Sequence, residues 1–187
     1  DIHPHNKVDV GKRLALWALK NDYKQNIPVC SGPLYKSHEI KGDQVIILFD
    51  SAGSGLMSGV KPVMGTARKT GEPLKHFQIC GADRQWKWAR ADITGKDTVT
   101  VSHPEVRTPV VVRYAWAPNP EGANLYNKEG LPASIFTTEA EIPSEADVVA
   151  PSKAKPVAEK SLKKGDRIVF LGDSITQLGV KQDGYVT

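Results

Sequence analysis

The sequence predicts a mainly β protein: an N-terminal helix, an antiparallel β-sandwich, a disordered linker, and the first strand and turn of an α/β domain. Three observations predict this order. Apolar residues near the N-terminus have helical spacing, short apolar segments then alternate with turn residues about every ten positions, and a last apolar run ends in Gly-Asp-Ser. We therefore divide the chain into residues 1–27, 28–138, 139–164 and 165–187.

The first zone has the pattern of one amphipathic helix. Asn6 can cap its start, and Asp9 three positions later makes a pair that resembles a capping box. The pattern fades at residues 21–23. We expect this helix to pack one side against a large neighbouring structure, because apolar or small residues recur at helical spacing: Val8, Gly11, Leu14, Ala15, Ala18 and Leu19.

The second zone is rich in strand patterns. A hairpin is expected where Lys41-Gly42-Asp43 separates two alternating segments, since glycine readily adopts the positive φ of a tight turn. Residues 59–73 contain several glycines and prolines with weak periodicity, which indicates a long surface loop. Short strands separated by such turns favour a β-sandwich, with predicted strands at 34–40, 44–50, 77–82, 86–93, 98–102 and 109–116.

The last two zones differ sharply in composition. Residues 139–164 are rich in Ala, Pro, Lys, Glu and Ser, so they cannot bury a core and are expected to form a disordered linker. Residues 167–171, Arg-Ile-Val-Phe-Leu, include an apolar run typical of a buried parallel strand, and Ser174 lies three positions after Leu171. A turn at this position would lift the serine hydroxyl above the carboxyl edge of the strand, where ligands bind in α/β sheets.

Ser174 and the N-terminal residues are the candidates for chemistry. A serine nucleophile needs a histidine base, and the backbone N–H of Ser174 could also stabilise an oxyanion. Asp1 lies two residues before His3, and a carboxylate there could orient the imidazole as a base. The structural alternative for Ser174 is a helix-capping role. The structural alternative for Asp1 and His3 is a solvated surface location, and for these two residues the spacing alone favours that alternative.

Two segments resemble a known enzyme family. Residues 167–176, Arg-Ile-Val-Phe-Leu-Gly-Asp-Ser-Ile-Thr, resemble the first block of the SGNH (GDSL) hydrolases, which implies that Ser174 is a nucleophile. Residues 1–23 are similar to the last block of sialate O-acetylesterase-type SGNH proteins, which implies that His3 is a base oriented by Asp1. The likeness continues to about residue 138 through segments that include 31–35, 52–56, 77–83, 113–116, 124–127 and 130–134.

The order of these two blocks is the reverse of the order in the family, where the serine block comes first. We therefore expect a junction between two hydrolases. One ends with residues 1–27 and the sandwich of 28–138, and another begins near residue 165. Asp1 and His3 would serve one active site and Ser174 another, so the isolated chain is predicted to be inactive. The alternative is a circular permutant in which all three residues form one triad.

The resemblance also implies a substrate, a partner and a compartment. It implies an O-acetylated sugar or glycan as substrate, with no metal or organic cofactor. It also implies that this chain packs against a catalytic domain of the same protein. The implied location is periplasmic or extracellular, although no signal-peptide pattern begins the chain. The alternative function is a non-catalytic glycan-binding or structural sandwich module. The net charge of +4 comes mainly from scattered lysines, which does not favour nucleic-acid binding, and all apolar runs are too short for a membrane span.

Several residues of the sandwich leave two interpretations open. Cys30 and Cys80 could form a disulfide or remain as two buried thiols. Trp86, Trp88 and Trp116 could form a sugar-stacking platform, although a place in the sandwich core or at its rim is favoured. We expect Arg113 to make an internal ion pair with a carboxylate rather than to contact a ligand.

Overall fold

A computed structural model describes residues 6–62 and 65–139. All of them belong to the first of the two units into which the chain divides, Asp1–Ile142. The catalytic candidates Asp1, His3 and Ser174, the linker beyond Glu139 and the predicted α/β segment 165–187 lie outside the described residues.

The described residues form one helix and eleven strands, and every strand pair is antiparallel. The strands make three sheets with the orders β1-β2-β8-β7, β10-β3-β4 and β11-β9-β5-β6. The elements are α1 Lys7–Asn21, β1 Leu34–Lys41, β2 Gln44–Asp50, β3 Leu56–Val60, β4 Arg68–Lys69, β5 Phe77–Cys80, β6 Lys87–Trp88, β7 Arg90–Ile93, β8 Thr98–Ser102, β9 Val111–Tyr114, β10 Leu125–Asn127 and β11 Phe136–Thr137.

Helix α1 starts where the capping pattern predicts. The side chain of Asn6 accepts a hydrogen bond from the backbone N–H of Asp9, which gives one of the unpaired amides of the first turn a partner. At the other end, the backbone N–H of Asp22 donates to the carbonyl of Ala18. None of the residues of α1 is fully buried, so the helix lies on the surface of the described unit.

The predicted hairpin is confirmed as β1 and β2. Lys41 pairs with Gln44 across a two-residue turn, and Gly42 adopts a φ of 61° there. Alternate residues of β2 point into the core, so Val45 and Phe49 are buried while Gln44 is exposed. The period of two that marked this segment in the sequence is the pattern of a strand with one buried face.

The core lies between the two four-stranded sheets and unites all three sheets. Phe136 of β11 packs edge-on against Phe49 of β2, with ring centroids 5.5 Å apart, and stacks on Tyr35 of β1 at 5.2 Å. On the opposite sheet, Phe77 and Tyr114 lie 4.7 Å apart in the same apolar cluster. Aromatic side chains from both layers therefore meet in one core, and the prediction of a mainly β fold with one N-terminal helix is confirmed.

The structure corrects the prediction of one strand over residues 86–93. This segment contains two strands in different sheets: β6 pairs with β5, and β7 pairs with β8. The change occurs at Ala89, whose backbone N–H donates to the carbonyl of Phe77 before Arg90 pairs with Ser102. The predicted loop 59–73 also holds the short strand β4, which pairs with β3.

Two further properties of the described residues bear on function. Cys30 and Cys80 are both free and buried, and burial raises the pKa of the Cys80 thiol. These are the properties of packed, unreactive thiols. The helical structure found in 6–62 and 65–139 lacks the length and apolar character that a membrane crossing requires.

Candidate functional site

The predicted catalytic residues lie outside the part of the chain that the structure describes. Because Asp1, His3 and Ser174 lie outside the described residues, the structure neither brings them together nor separates them. The described chain begins at Asn6, only three positions after His3 in the sequence. The start of α1 is therefore the described structure closest in sequence to the predicted base.

The start of α1 is held by a cluster of three polar side chains. The Asn6 amide donates to Asp9 Oδ2 at 2.6 Å, and the same carboxylate oxygen forms an ion pair with Lys61. Lys61 follows the last residue of β3, so this contact joins the first turn of the helix to the sandwich across 52 positions of sequence. Local capping and long-range attachment thus share one carboxylate.

The electrostatics of this cluster favour the ionised carboxylate. The hydrogen bond from Lys61 and its positive charge, together with the hydrogen bond from Asn6, lower the pKa of Asp9 against the opposing effect of partial desolvation. The two side chains of the ion pair are only 20% and 16% exposed, which is much less than in the other ion pairs of the described residues. Reduced solvent contact lessens the screening that makes surface ion pairs weak.

Beyond the ion pair, α1 rests on the sandwich over a groove of about 470 Å³. Leu16 and Leu19 line it from the helix, and Leu131 and Pro132 line it from the loop after β10. Leu16 and Leu19 are half-buried rather than buried. The helix is therefore joined to the sandwich at its start by an ion pair, and farther along it borders a groove that it shares with the loop after β10.

The helix also carries an exposed apolar stripe. Val10, Leu14 and Trp17 recur at spacings of four and three, which places them on one face of α1. They are 38%, 66% and 44% exposed, so the sandwich does not cover them. Exposed apolar residues in a contiguous patch commonly mark a surface that another structure covers.

The segments that resemble the esterase family contribute mainly to the interior of the sandwich. Asn127 is fully buried: its amide donates to the carbonyls of Ser31 and Ser51, and its Oδ1 accepts from the Leu131 N–H at 2.8 Å. Asn124 is buried too, and its side chain also bonds backbone groups. These asparagines join loops that are distant in sequence, which is a structural role that the motifs alone did not reveal.

A different surface lies on the outside of the sheet β11-β9-β5-β6. Gln78 pairs with Trp88 on one neighbouring strand and with Arg113 on the other, so all three side chains share the outer face. The Arg113 guanidinium lies 3.8 Å from the centroid of the Trp86 ring, and its Nε donates to Gln78 Oε1 at 2.8 Å. The His76 ring meets Trp88 edge-on at 6.0 Å. We call these five residues the outer aromatic face.

This surface corrects the expectation for Arg113. The described residues offer it no carboxylate partner, since its contacts there are the Trp86 ring and the Gln78 amide. The preference for placing the tryptophans in or beside the core is also corrected in part, because Trp88 is 65% exposed and points away from the core face. Within the described ranges, no three His, Cys, Asp or Glu side chains are grouped as a metal site would require.

Comparison with solved structures found a carbohydrate esterase. The chain is similar to the crystal structure of a carbohydrate acetylesterase from Xanthomonas citri, with 39% sequence identity and a TM-score of 0.65. The match covers 75% of this chain but 30% of the esterase chain, so the sequence spans less than a third of that protein. No protein-family model matches the chain, and none of the curated proteins does. The similarity relates the chain to a carbohydrate esterase.

Proposed function

We propose that this chain is part of a carbohydrate O-acetylesterase of the sialate O-acetylesterase type, which hydrolyses acetyl esters on a sugar or glycan by Ser-His-Asp catalysis. The observation that carries the proposal is the similarity to a carbohydrate acetylesterase at 39% identity over 75% of this chain. The order of the sequence motifs, with the His3 segment ahead of the sandwich, supports it independently.

The proposed chemistry gives each predicted residue a part in the reaction. His3 accepts the proton of an attacking serine and later returns it to the departing sugar oxygen, while Asp1 orients the imidazole and stabilises its cation. Ser174 is the nucleophile of a second site, and its own backbone N–H helps to bind the oxyanion of the tetrahedral intermediate. No residue of this scheme needs a metal or an organic cofactor.

The described structure suggests what the sandwich contributes to such an enzyme. The Asp9–Lys61 ion pair fixes the start of α1, a few residues after His3, against the end of β3. The apolar stripe of Val10, Leu14 and Trp17 then faces away from the sandwich and is available to a catalytic domain. In this arrangement the sandwich braces the segment that carries the base. Export to the periplasm or the cell exterior is part of the same proposal.

The two-site arrangement is tested first on the isolated chain. We expect the 187-residue chain to show no turnover of p-nitrophenyl acetate, because the nucleophile and the base belong to different sites. If the isolated chain does turn over the ester, and if Ser174→Ala and His3→Ala each abolish that turnover, the two-site arrangement is wrong. Such a result would favour the single triad of a circular permutant.

The role of His3 is tested in the longer protein of which we propose this chain is a part. His3→Ala should lower kcat for an acetylated sugar by at least about a thousandfold, since loss of a triad member typically costs that much or more. The matched control is His5→Ala, which removes an imidazole two positions away and should retain activity. Equal activity of the two variants would exclude His3 as the base.

A further inference from the structure

We propose that the outer aromatic face binds an acidic oligosaccharide, with a sugar ring stacked on Trp88 and a sugar carboxylate held by Arg113. Nothing in the proposed esterase chemistry requires this site, and it lies on the sandwich rather than on the segments that carry Asp1, His3 or Ser174. Binding and hydrolysis can therefore fail or succeed separately.

The first argument is the way in which Arg113 is held. Its guanidinium stacks on the Trp86 ring, and Gln78 Oε1 accepts from Nε, so the plane of the group is fixed from two sides. Among residues 6–62 and 65–139, no protein acceptor engages its two terminal nitrogens. A planar cation held in this way with free donors matches the bidentate geometry of a carboxylate.

The second argument is the exposed ring beside it. Trp88 is 65% exposed, and the edge-on contact with His76 supports its indole from one side. The Nε2 of His76 is itself hydrogen-bonded to the backbone carbonyl of Glu121 at 2.7 Å, which restrains the imidazole. A restrained indole with an open face is suited to the apolar C–H face of a pyranose ring, because the negative face of the aromatic quadrupole attracts polarised C–H groups.

The spacing of the two groups fits one oligosaccharide. Trp88 and Arg113 lie on strands separated only by β5, so their backbones are roughly 9–10 Å apart across the sheet. That span is comparable to the length of a disaccharide. A chain with one ring on Trp88 could therefore present a uronate or sialate carboxylate to Arg113 without distortion.

The mixture of groups suits a glycan. A sugar ring presents an apolar C–H face bordered by hydroxyl groups, and this surface offers the matching alternation of rings and polar side chains: Trp86, Trp88, Gln78, His76 and Arg113. The guanidinium of Arg113 has no protein counter-ion among the described residues, so an anionic ligand suits it better than a neutral one. A carboxylate on a sugar combines that charge with a ring that Trp88 can stack on.

The test uses NMR of the full 187-residue chain, whose four tryptophans give resolvable indole N–H signals. The probes are tetragalacturonate, 3′-sialyllactose and an aldotetraouronic acid, each compared with its carboxyl methyl ester. At about 1 mM, at least one acid should shift the Trp86 and Trp88 signals but not the Trp17 signal. Its methyl ester, which keeps the shape but lacks the charge, should bind at least about tenfold more weakly.

Variants locate the two contacts. Trp88→Ala should weaken binding by about fivefold or more, and Arg113→Gln by about tenfold or more. The matched controls are Trp17→Ala on the helix and Arg90→Gln on β7, which should bind as the unaltered chain does. The proposal is overturned if no acid shifts Trp86 and Trp88, if esters bind as well as acids, or if the controls weaken binding equally. The ester comparison remains decisive even if Arg113→Gln perturbs folding.

Discussion

Asp9 in the first turn of the N-terminal helix forms an ion pair with Lys61 at the end of the third strand, and this pair joins the helix to the sandwich. The same carboxylate bonds the capping residue Asn6, so one side chain both starts the helix and positions it. If the helix follows the segment with the catalytic base, the sandwich acts on catalysis through this contact.

Replacement of Lys61 by alanine should therefore release the start of α1. We expect faster amide hydrogen exchange in the first two turns of the helix with no change in the sheets. The matched control is Lys36→Ala, which removes a well-exposed ion pair with Asp50. If helix exchange is the same in both variants, the Asp9–Lys61 pair does not position α1.

Acid should have the same effect on the unaltered chain. The pKa of Asp9 is lowered in the folded protein, so the ion pair stabilises the start of the helix fully at pH values above the ordinary pKa of an aspartate. This stabilisation is lost as pH falls through the lowered pKa. We expect helix exchange, corrected for its intrinsic pH dependence, to rise below about pH 4. The Lys61→Ala chain should lack this step, and a step of equal size in that variant would exclude the pair as its cause.

Tyr114 predicts a second pH dependence, at the alkaline end. Burial raises the pKa of Tyr114 to about 12, while the unfolded chain ionises near 10. A raised folded pKa means that stability is complete below pH 10 and declines as pH rises towards 12, by on the order of 2 kcal/mol in the free energy of unfolding. Urea titrations between pH 9 and pH 11.5 would measure it.

Tyr114→Phe provides the test of that assignment. Phenylalanine keeps the ring beside Phe77 but removes the Oη that accepts from the Leu125 N–H, so stability at neutral pH should fall by about 1–3 kcal/mol. Its alkaline decline should be correspondingly smaller. Tyr23→Phe, at an exposed position, should change neither property.

Asn127 should be among the least replaceable residues of the sandwich. Asn127→Ala leaves the carbonyls of Ser31 and Ser51 and the N–H of Leu131 without their partner, and we expect a loss of about 2–4 kcal/mol. Equilibrium unfolding in urea would measure the loss. Asn119→Ala, in an exposed loop, is the control. If the two variants unfold at similar urea concentrations, Asn127 does not stabilise the sandwich by joining these loops.

The two thiols should be protected and unpaired. Cys30 and Cys80 are buried, so the native chain should react slowly with a thiol reagent at neutral pH. In denaturant, without added reductant, both thiols should react rapidly. If two thiols fail to appear on unfolding of protein prepared under oxidising conditions, the disulfide alternative is correct.

The parts of the fold that sequence reasoning found are those formed by residues close in the chain. Asn6 and Asp9 lie one helical turn apart, so the cap could be read from two positions. The turn at Gly42 joins strands that are adjacent in sequence, and the hairpin was found for the same reason. The strands β10 and β11 escaped prediction because they span only three and two residues, and β3 escaped it because four of its five residues are buried and no alternation marks it.

By itself, the sequence determined the mainly β class, the helix and its cap, and the alternation that sends Trp86 and Trp88 to one side of a strand. Only the tertiary structure decided that residues 86–93 change from one sheet to another at Ala89, and that the Trp86 ring packs against Arg113 rather than in the core. Alternation shows that side chains point to opposite faces, but the face that is buried depends on which strands pair. That choice rests on contacts between residues far apart in the chain.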